Sequence, residues 1–296
     1  MHVFVTGGSG FIGRAVVADL VAAGHEVTGL ARSEASASLV KDLGAAVHLG
    51  DLHDLDGIRR AAAAADGVVH LANTHNWAHL EESSRTERAA VQTISDTLVG
   101  SDRPFVLASG VAFGLDRTVT EHDRIPTGSD PVRGGSENLA LSYAEKGVRV
   151  IAARFAPTVH GEGDAGFISI VAQAARRRGT SVYTGEGNNR WPAVHRSDAA
   201  RLVRLGLENA PAGTILHAVA EEGVPVRQIA GALADRLGVP AKSAPAEQIA
   251  DEIPFVGRYL AGDFPATSTR TRDLLGWGPA GPTLLDDIAA GHYDQP

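Results

Sequence analysis

A chain of 296 residues, 44% hydrophobic and 21% charged, has the composition of an ordinary globular protein and the length for one large or two modest domains. Its formal net charge of −8 argues against a general nucleic-acid binder, which needs a basic face to neutralise phosphates. The absence of cysteine excludes disulfides, thiolate nucleophiles and cysteine-held metals, and no apolar run approaches the length of a membrane span.

The opening run His2-Val3-Phe4-Val5-Thr6 reads as a buried strand rather than a secretory leader, so a soluble, cytoplasmic protein is expected. Short, nearly continuous apolar runs at 3–6, 26–31, 46–49, 68–72, 105–109 and 148–155 predict parallel strands covered on both faces. Between them, 11–23, 33–43, 55–65, 84–100 and 135–146 carry helical spacing. Several of these stop at glycine (Gly24, Gly44, Gly147). Strands alternating with helices of this length imply right-handed crossovers and an α/β, doubly wound parallel sheet of the Rossmann type. Past about residue 157 the pattern loosens. A glycine-rich, loop-like stretch to 191 surrounds one helix at 167–178, then 195–207 reads as helix and 214–220 as a strand returning to the sheet. Helices are predicted at 226–237, 246–253, 269–275 and 283–290. Arg176-Arg177-Arg178 reads as a solvated helix end.

Gly7, Gly8, Gly10 and Gly13 form a turn between the first strand and an amphipathic helix, matching the dinucleotide spacing G-x-G-x-x-G. Glycines there allow the tight turn and let backbone approach a pyrophosphate, which the helix N-terminus attracts. The turn Gly7, Ser9, Gly10, Phe11, Ile12 and Gly13 is therefore the expected phosphate cradle. A site for NAD usually places Asp or Glu about 20 residues further on, at the tip of the second strand. Here the tip is Ala31-Arg32-Ser33, so Arg32 and Ser33 are expected to hold a 2′-phosphate and NADP(H) is the expected cofactor. The division that follows is a dinucleotide-binding domain over 1–160, with a returning segment near 190–220. A smaller substrate-binding lobe takes 161–190 and 221–296.

Several motifs together resemble the extended or atypical short-chain dehydrogenases/reductases, the epimerase/dehydratase-like family, over essentially the whole chain. Thr6-Gly7-Gly8-Ser9-Gly10-Phe11-Ile12-Gly13 resembles the family opening, and Gly50-Asp51-Leu52 the turn whose aspartate contacts adenine. Val69-His70-Leu71-Ala72-Asn73 resembles its cofactor-flanking H-L-A-A segment. The run Val106-Leu107-Ala108-Ser109-Gly110 resembles the strand that carries the active-site serine. Arg154-Phe155-Ala156-Pro157-Thr158-Val159-His160-Gly161 resembles R-P-x-x-V-Y-G. Val194-His195-Arg196-Ser197-Asp198-Ala199-Ala200 resembles V-H-V-x-D-x-A, and Leu275-Gly276-Trp277-Gly278-Pro279 the closing L-G-W-x-P. The resemblance implies cofactor contacts from Asp51, Leu52, Leu71, Ala72, Asn73, Pro157 and Val159, a small-molecule substrate, and a fold in which homodimers are common.

The family's Tyr-x-x-x-Lys pair is absent from this sequence. Alignment on the helix puts Ser129 at the tyrosine position and Arg133 at the lysine position, where Arg133 could bond the nicotinamide ribose but not relay a proton. Tyr143 and Lys146 lie at the wrong end of their helix, about 15 Å further along at about 1.5 Å per residue. Ser109 is expected to bond the substrate. The proton donor stays open among His75, His160, His122 and a water relayed through Ser109. His75 and His79 stand four apart without a companion glutamate, so no metal is expected. Trp77, Phe167, Tyr183 and Trp191 are candidates to line a substrate pocket. The expected activity is an NADP(H)-dependent oxidoreductase acting on a small carbonyl, imine or alcohol. The alternatives are a catalytically silent NADP(H)-binding sensor and a sugar-nucleotide epimerase or dehydratase.

Overall fold

The computed structural model describes residues 1–74, 79–111, 115–125, 135–253 and 255–294. Its first half alternates strand and helix: β1 (His2–Thr6), α1 (Phe11–Ala22), β2 (Glu26–Ala31), α2 (Glu34–Asp42), β3 (Ala46–Leu49), α3 (Leu55–Ala64) and β4 (Gly67–His70). It continues through α4 (Leu80–Leu98), β5 (Pro104–Gly110), α5 (Gly135–Leu141), β6 (Arg149–Phe155) and β7 (Thr158–His160). Next come α6 (Phe167–Arg178), β8 (Ser181–Tyr183), β9 (Arg190–His195), α7 (Arg196–Asn209), β10 (Thr214–Ala218) and β11 (Glu221–Pro225). The last part holds α8 (Val226–Leu237), β12 (Ala241–Ser243), α9 (Ala246–Glu252), α10 (Val256–Leu260), α11 (Thr269–Leu275) and α12 (Leu284–Ala289).

Seven strands form one sheet in the order β10-β6-β5-β4-β1-β2-β3, with every neighbouring pair parallel. The expected doubly wound α/β sheet is thus present, and β10 is the strand that returns to it. Side-chain alternation divides its two faces. Val3, Val5, Val106 and Ile151 pack on one side with Val16, Val17 and Leu20 of α1 and Leu202 and Val203 of α7. Phe4, Val68, Phe105 and Val150 pack on the other with Ile58 of α3, Ile94 of α4 and Ala140 of α5. Burial on both faces is why these strands read as continuous apolar runs.

A further hydrophobic cluster is built later in the chain from α6, α8, α9 and α12 around Trp191, Val224, Leu233 and Ile288. It is bordered by two small sheets, β11-β9-β7 and β12-β8. The segment 157–191, expected to be loop outside its helix, therefore supplies β7, β8 and the start of β9. The helix expected over 135–146 ends at Leu141, and a single 3₁₀ turn, Ala144–Lys146, follows it before Gly147 adopts φ +74°. The basic run at the end of α6 is not wholly solvated: Arg178 is paired with Glu252.

Candidate active site

The glycine corner has the geometry its sequence requires. Gly7 adopts φ +74°, and a Cβ there would stand 2.7 Å from the Ala72 amide nitrogen. A Cβ on Gly13 would fall 1.9 Å from the Gly7 carbonyl oxygen, so α1 can close onto β1 only without a side chain at that position. The Gly10 amide donates to the Gly7 carbonyl at 3.0 Å. Gly10 caps α1 with no side-chain hydrogen bond, and the first turn of α1 holds no acidic residue. Amides of Phe11, Ile12 and Gly13 and the positive end of the helix dipole are thereby left for an anion. Ser9 borders the turn and is partly exposed.

Arg32 follows β2 and is exposed, and no described residue pairs with it. The Ser33 hydroxyl accepts from the Ser36 amide at 3.2 Å and so caps α2. Asp51, after β3, is exposed and its carboxylate accepts from the His53 amide at 2.8 Å, while Leu52 is buried against the sheet. Beyond β4, Leu71, Ala72 and Asn73 are half-buried, and the Ala72 amide donates to the Thr6 hydroxyl. Pro157 and Val159 keep partial exposure beside buried Thr158. All these groups follow the carboxyl ends of strands, where doubly wound sheets bind their ligands. The donor set fits a dinucleotide: bare amides for a pyrophosphate and a free guanidinium one strand away.

Ser109 lies near the carboxyl end of β5, half-buried, with its hydroxyl bonded to no described residue. Register places Ser109 beside Arg154 of β6, and Arg154 beside His217 of β10, so the three share one sheet face. Arg154 is fully buried. It donates from Nε and Nη2 to the Glu137 carboxylate of α5 (2.6–3.2 Å) and from Nη1 to the Asp123 carbonyl oxygen at 2.6 Å. Nothing in the sequence singled out this pair, because its partners are 17 residues apart and joined through a helix register that no motif states. Arg133, Ser129, His75 and Trp77 lie outside the described residues.

Tyr143 and Lys146 are far from this edge in role as well as in sequence. The Tyr143 hydroxyl donates to Asp96 of α4 at 2.5 Å, and Lys146 Nζ sits 4.0 Å above the tyrosine ring. Burial, with the Asp96 carboxylate beside it, pushes the phenol further up from its ordinary value, opposite to what a proton-transferring tyrosine needs.

The expected loop position of His160 needs correction. It is the last residue of β7 and fully buried, with Nδ1 2.5 Å from Asp287 Oδ2 of α12. His195 and His292 approach the same carboxylate at 3.9 and 3.2 Å. A three-residue strand is too short to show its period in sequence, which is why His160 reads as loop. His122 lines a cavity of about 490 Å³ with Thr120, Glu121, Thr267 and Asp273 beside α11. Trp191 is a core residue, 1% exposed, and Phe167 and Tyr183 pack partly exposed around the same cluster. Their companions Phe255, Tyr259 and Phe264 were not expected; only the contacts of Phe255 and Tyr259 with Phe167, and of Phe264 with Tyr259, reveal them. Among the described residues no cluster is arranged to hold a metal, and no helix is long and apolar enough to cross a membrane.

Residues 3–124 match the NAD dependent epimerase/dehydratase family. The chain is 40% identical to a Schizosaccharomyces pombe protein named only as uncharacterized, over 99% of this chain and 100% of that one. It is 28% identical to the 2-alkyl-3-oxoalkanoate reductase of Stenotrophomonas maltophilia, covering 81% of this chain and 77% of the reductase. Among solved structures, MoeE5 in complex with UDP-glucuronic acid and NAD superposes with a TM-score of 0.75 at 25% identity, over 98% and 97% of the two chains. A cradle of bare amides, a parallel sheet in this strand order and relatives that match from end to end converge on one assignment: the chain belongs to the NAD-dependent epimerase/dehydratase family.

Proposed function

We propose that the chain is an NADP(H)-dependent oxidoreductase that interconverts a small carbonyl or imine with its reduced form. The observation that carries this reading is Ser109, whose hydroxyl is unengaged by any described residue at the carboxyl edge of β5, on the same edge of the sheet as the uncapped corner of α1 that follows β1 two strands away. The phosphates would lie on the amides of 11–13, and Arg32 with Ser33 would take the 2′-phosphate by charge and hydrogen bonding. Asp51, Leu52, Leu71, Ala72, Asn73, Pro157 and Val159 flank the remaining length of the dinucleotide. Arg133 is proposed to hold the nicotinamide ribose, and the later hydrophobic cluster to form the substrate lobe.

NADPH held there would supply the hydride in the reducing direction, going to NADP+, so that the carbonyl carbon would gain hydride and the protein's part would be to deliver a proton to the oxygen. Ser109 donates a hydrogen bond to that oxygen and passes it a proton from water, or from His75 in the exit of β4. His160 is sealed from substrate by its burial, so its part is to tie β7 to α12. The test is NADPH oxidation across ketones, aldehydes and cyclic imines, with Ser109→Ala as the paired variant. Turnover that falls about 10²-fold in the variant supports the reading. Tight NADPH binding with silence across the panel favours the sensor reading instead, which the missing Tyr-x-x-x-Lys pair motivates.

A further inference from the structure

Resting on that oxidoreductase reading, we propose that the substrate is an apolar carbonyl compound, whose hydrophobic body packs on an aromatic face made by Phe167, Phe255, Tyr259 and Phe264. The rings form one connected set. Phe167 lies 5.9 Å from Trp191, 5.8 Å from Phe255 and 5.6 Å from Tyr259, and Tyr259 lies 5.3 Å from Phe255 and 6.2 Å from Phe264, centroid to centroid. Trp191 forms the floor, 1% exposed, with its indole N–H satisfied by the Tyr259 carbonyl at 3.3 Å. The four rings above it all keep partial exposure. A core that merely needed filling would bury such rings, since each carries a large apolar area.

Two chain routes tie this face to the reacting edge. The chain leaving Ser109 reaches Val119, which bridges to Ala266, and the Val119 amide donates to the Pro265 carbonyl at 2.8 Å, next to Phe264. The chain leaving β6 makes β7, which pairs with the β9 strand that carries Trp191, and continues to Phe167 at the start of α6. The Phe264 amide, in turn, donates to the Arg190 carbonyl of β9. Phe255 adds an independent sign. It holds φ +66° and ψ −67°, a conformation that a bulky residue adopts only when its surroundings impose it, and such strain gathers at functional sites.

Two of the cations near the face already have acidic neighbours. Arg190 spends its guanidinium on Asp263, with contacts of 3.1 and 2.8 Å, and Arg227 stands over the Tyr183 ring, 4.0 Å from Glu186. The cation next to Tyr259 on α10 is the exposed Arg258, the arm that a sugar nucleotide's phosphates would need.

The experiment uses the full chain with NADPH and methyl ketones of rising chain length, acetophenone and UDP-glucose as probes. On this proposal kcat/KM rises about threefold to fourfold per added methylene, the value of roughly 0.8 kcal/mol per buried CH₂, until the face is covered. Phe255→Ala and Phe264→Ala then lower kcat/KM for acetophenone about tenfold or more with NADPH affinity unchanged, Phe264→Leu falls between, and Arg258→Ala changes nothing. A flat series, ring variants without effect, or a preference for UDP-glucose that Arg258→Ala abolishes overturns it. Saturation-transfer NMR with benzyl alcohol reads the face without turnover: binding lost in the ring variants supports the proposal, and no binding to the native chain refutes it. If NADPH fails to bind, it is the oxidoreductase reading that falls, and the NMR arm still judges the face.

Discussion

Arg154 shows how much a single buried cation organises here. Its fork meets both oxygens of Glu137, and its remaining nitrogen meets the backbone of Asp123, so one side chain joins β6, α5 and the chain that follows β5. Removing one partner leaves the other charge buried and unpaired, which costs far more than the pair itself contributes. Arg154→Met is therefore expected to lower unfolding free energy in urea by about 3–5 kcal/mol, and adding Glu137→Leu to recover most of that loss. An unchanged urea midpoint in the single variant would contradict the argument. Arg32 is the opposite case, an exposed guanidinium after β2 that pairs with no described residue. Arg32→Ala should weaken NADPH binding by about tenfold or more and leave NADH unaffected, as loss of a charge-assisted hydrogen bond requires. Equal losses for both dinucleotides in a titration would remove Arg32 from the 2′-phosphate site.

At the scale of elements, the corner between β1 and α1 depends on the missing side chain of Gly13. Gly13→Ala must push a carbon into the Gly7 carbonyl, so α1 has to lift from the sheet. The expected result is a loss of several kcal/mol together with loss of dinucleotide binding. Gly231 in α8 provides the contrast: a Cβ there meets nothing within 4 Å, and Gly231→Ala should gain about 0.5–1 kcal/mol from helix propensity alone. Thermal melts of the two variants moving in opposite directions would support this assignment of the two glycines; similar shifts would not. The same contrast explains which elements could be read in advance. Strands β1, β4 and β5 are mostly apolar because both faces are covered, and α6, α8 and α11 carry clear amphipathic spacing, so their ends are legible within a residue or two. Strands β7, β8 and β12 are three residues each, and β8 finds its partner β12 only about sixty residues later, a pairing that no local pattern encodes. The geometry of the glycine corner is legible for the same reason as the long strands, since its requirements are local. The aromatic face and the Glu137–Arg154 pair were not, because each is assembled from distant segments.

Across the whole molecule, buried histidines set how the fold responds to acid. Burial lowers His70 from its ordinary 6.5 to about 4, and burial also lowers His160, His195 and His217. Burial thus favours the neutral form of these rings in the fold. Their stabilising effect is complete above pH 6.5 and is lost as pH falls below it, because the unfolded chain then binds protons that the folded chain refuses. For His70 alone the loss by about pH 4 is roughly 3 kcal/mol. Two carboxyls, buried Asp164 and half-buried Glu221, act in the opposite sense. Burial pushes Asp164 up to about 6 and raises Glu221, so both take up protons in the fold first and return some stability between pH 6 and 4. Below that, carboxylates held low by arginine, Asp123 by Arg117 and Asp263 by Arg190, add a further acid loss. Four histidines outweigh two carboxyls, so the melting temperature should be highest above pH 7 and fall steadily from pH 6.5 to 4, with net proton uptake on unfolding near pH 5.5. Asp164→Asn, which keeps the shape but removes the returning group, should steepen that acid limb. Calorimetry in buffers of different ionisation enthalpy reads both the temperature and the protons. A melting temperature that stays flat or climbs between pH 6.5 and 4.5 would mean that the histidines are already charged inside the fold. In that case Asp287, ringed by His160, His195 and His292, would be the counter-ion of those three rings, binding α12 to β7 and β9 through ion pairs instead of neutral hydrogen bonds.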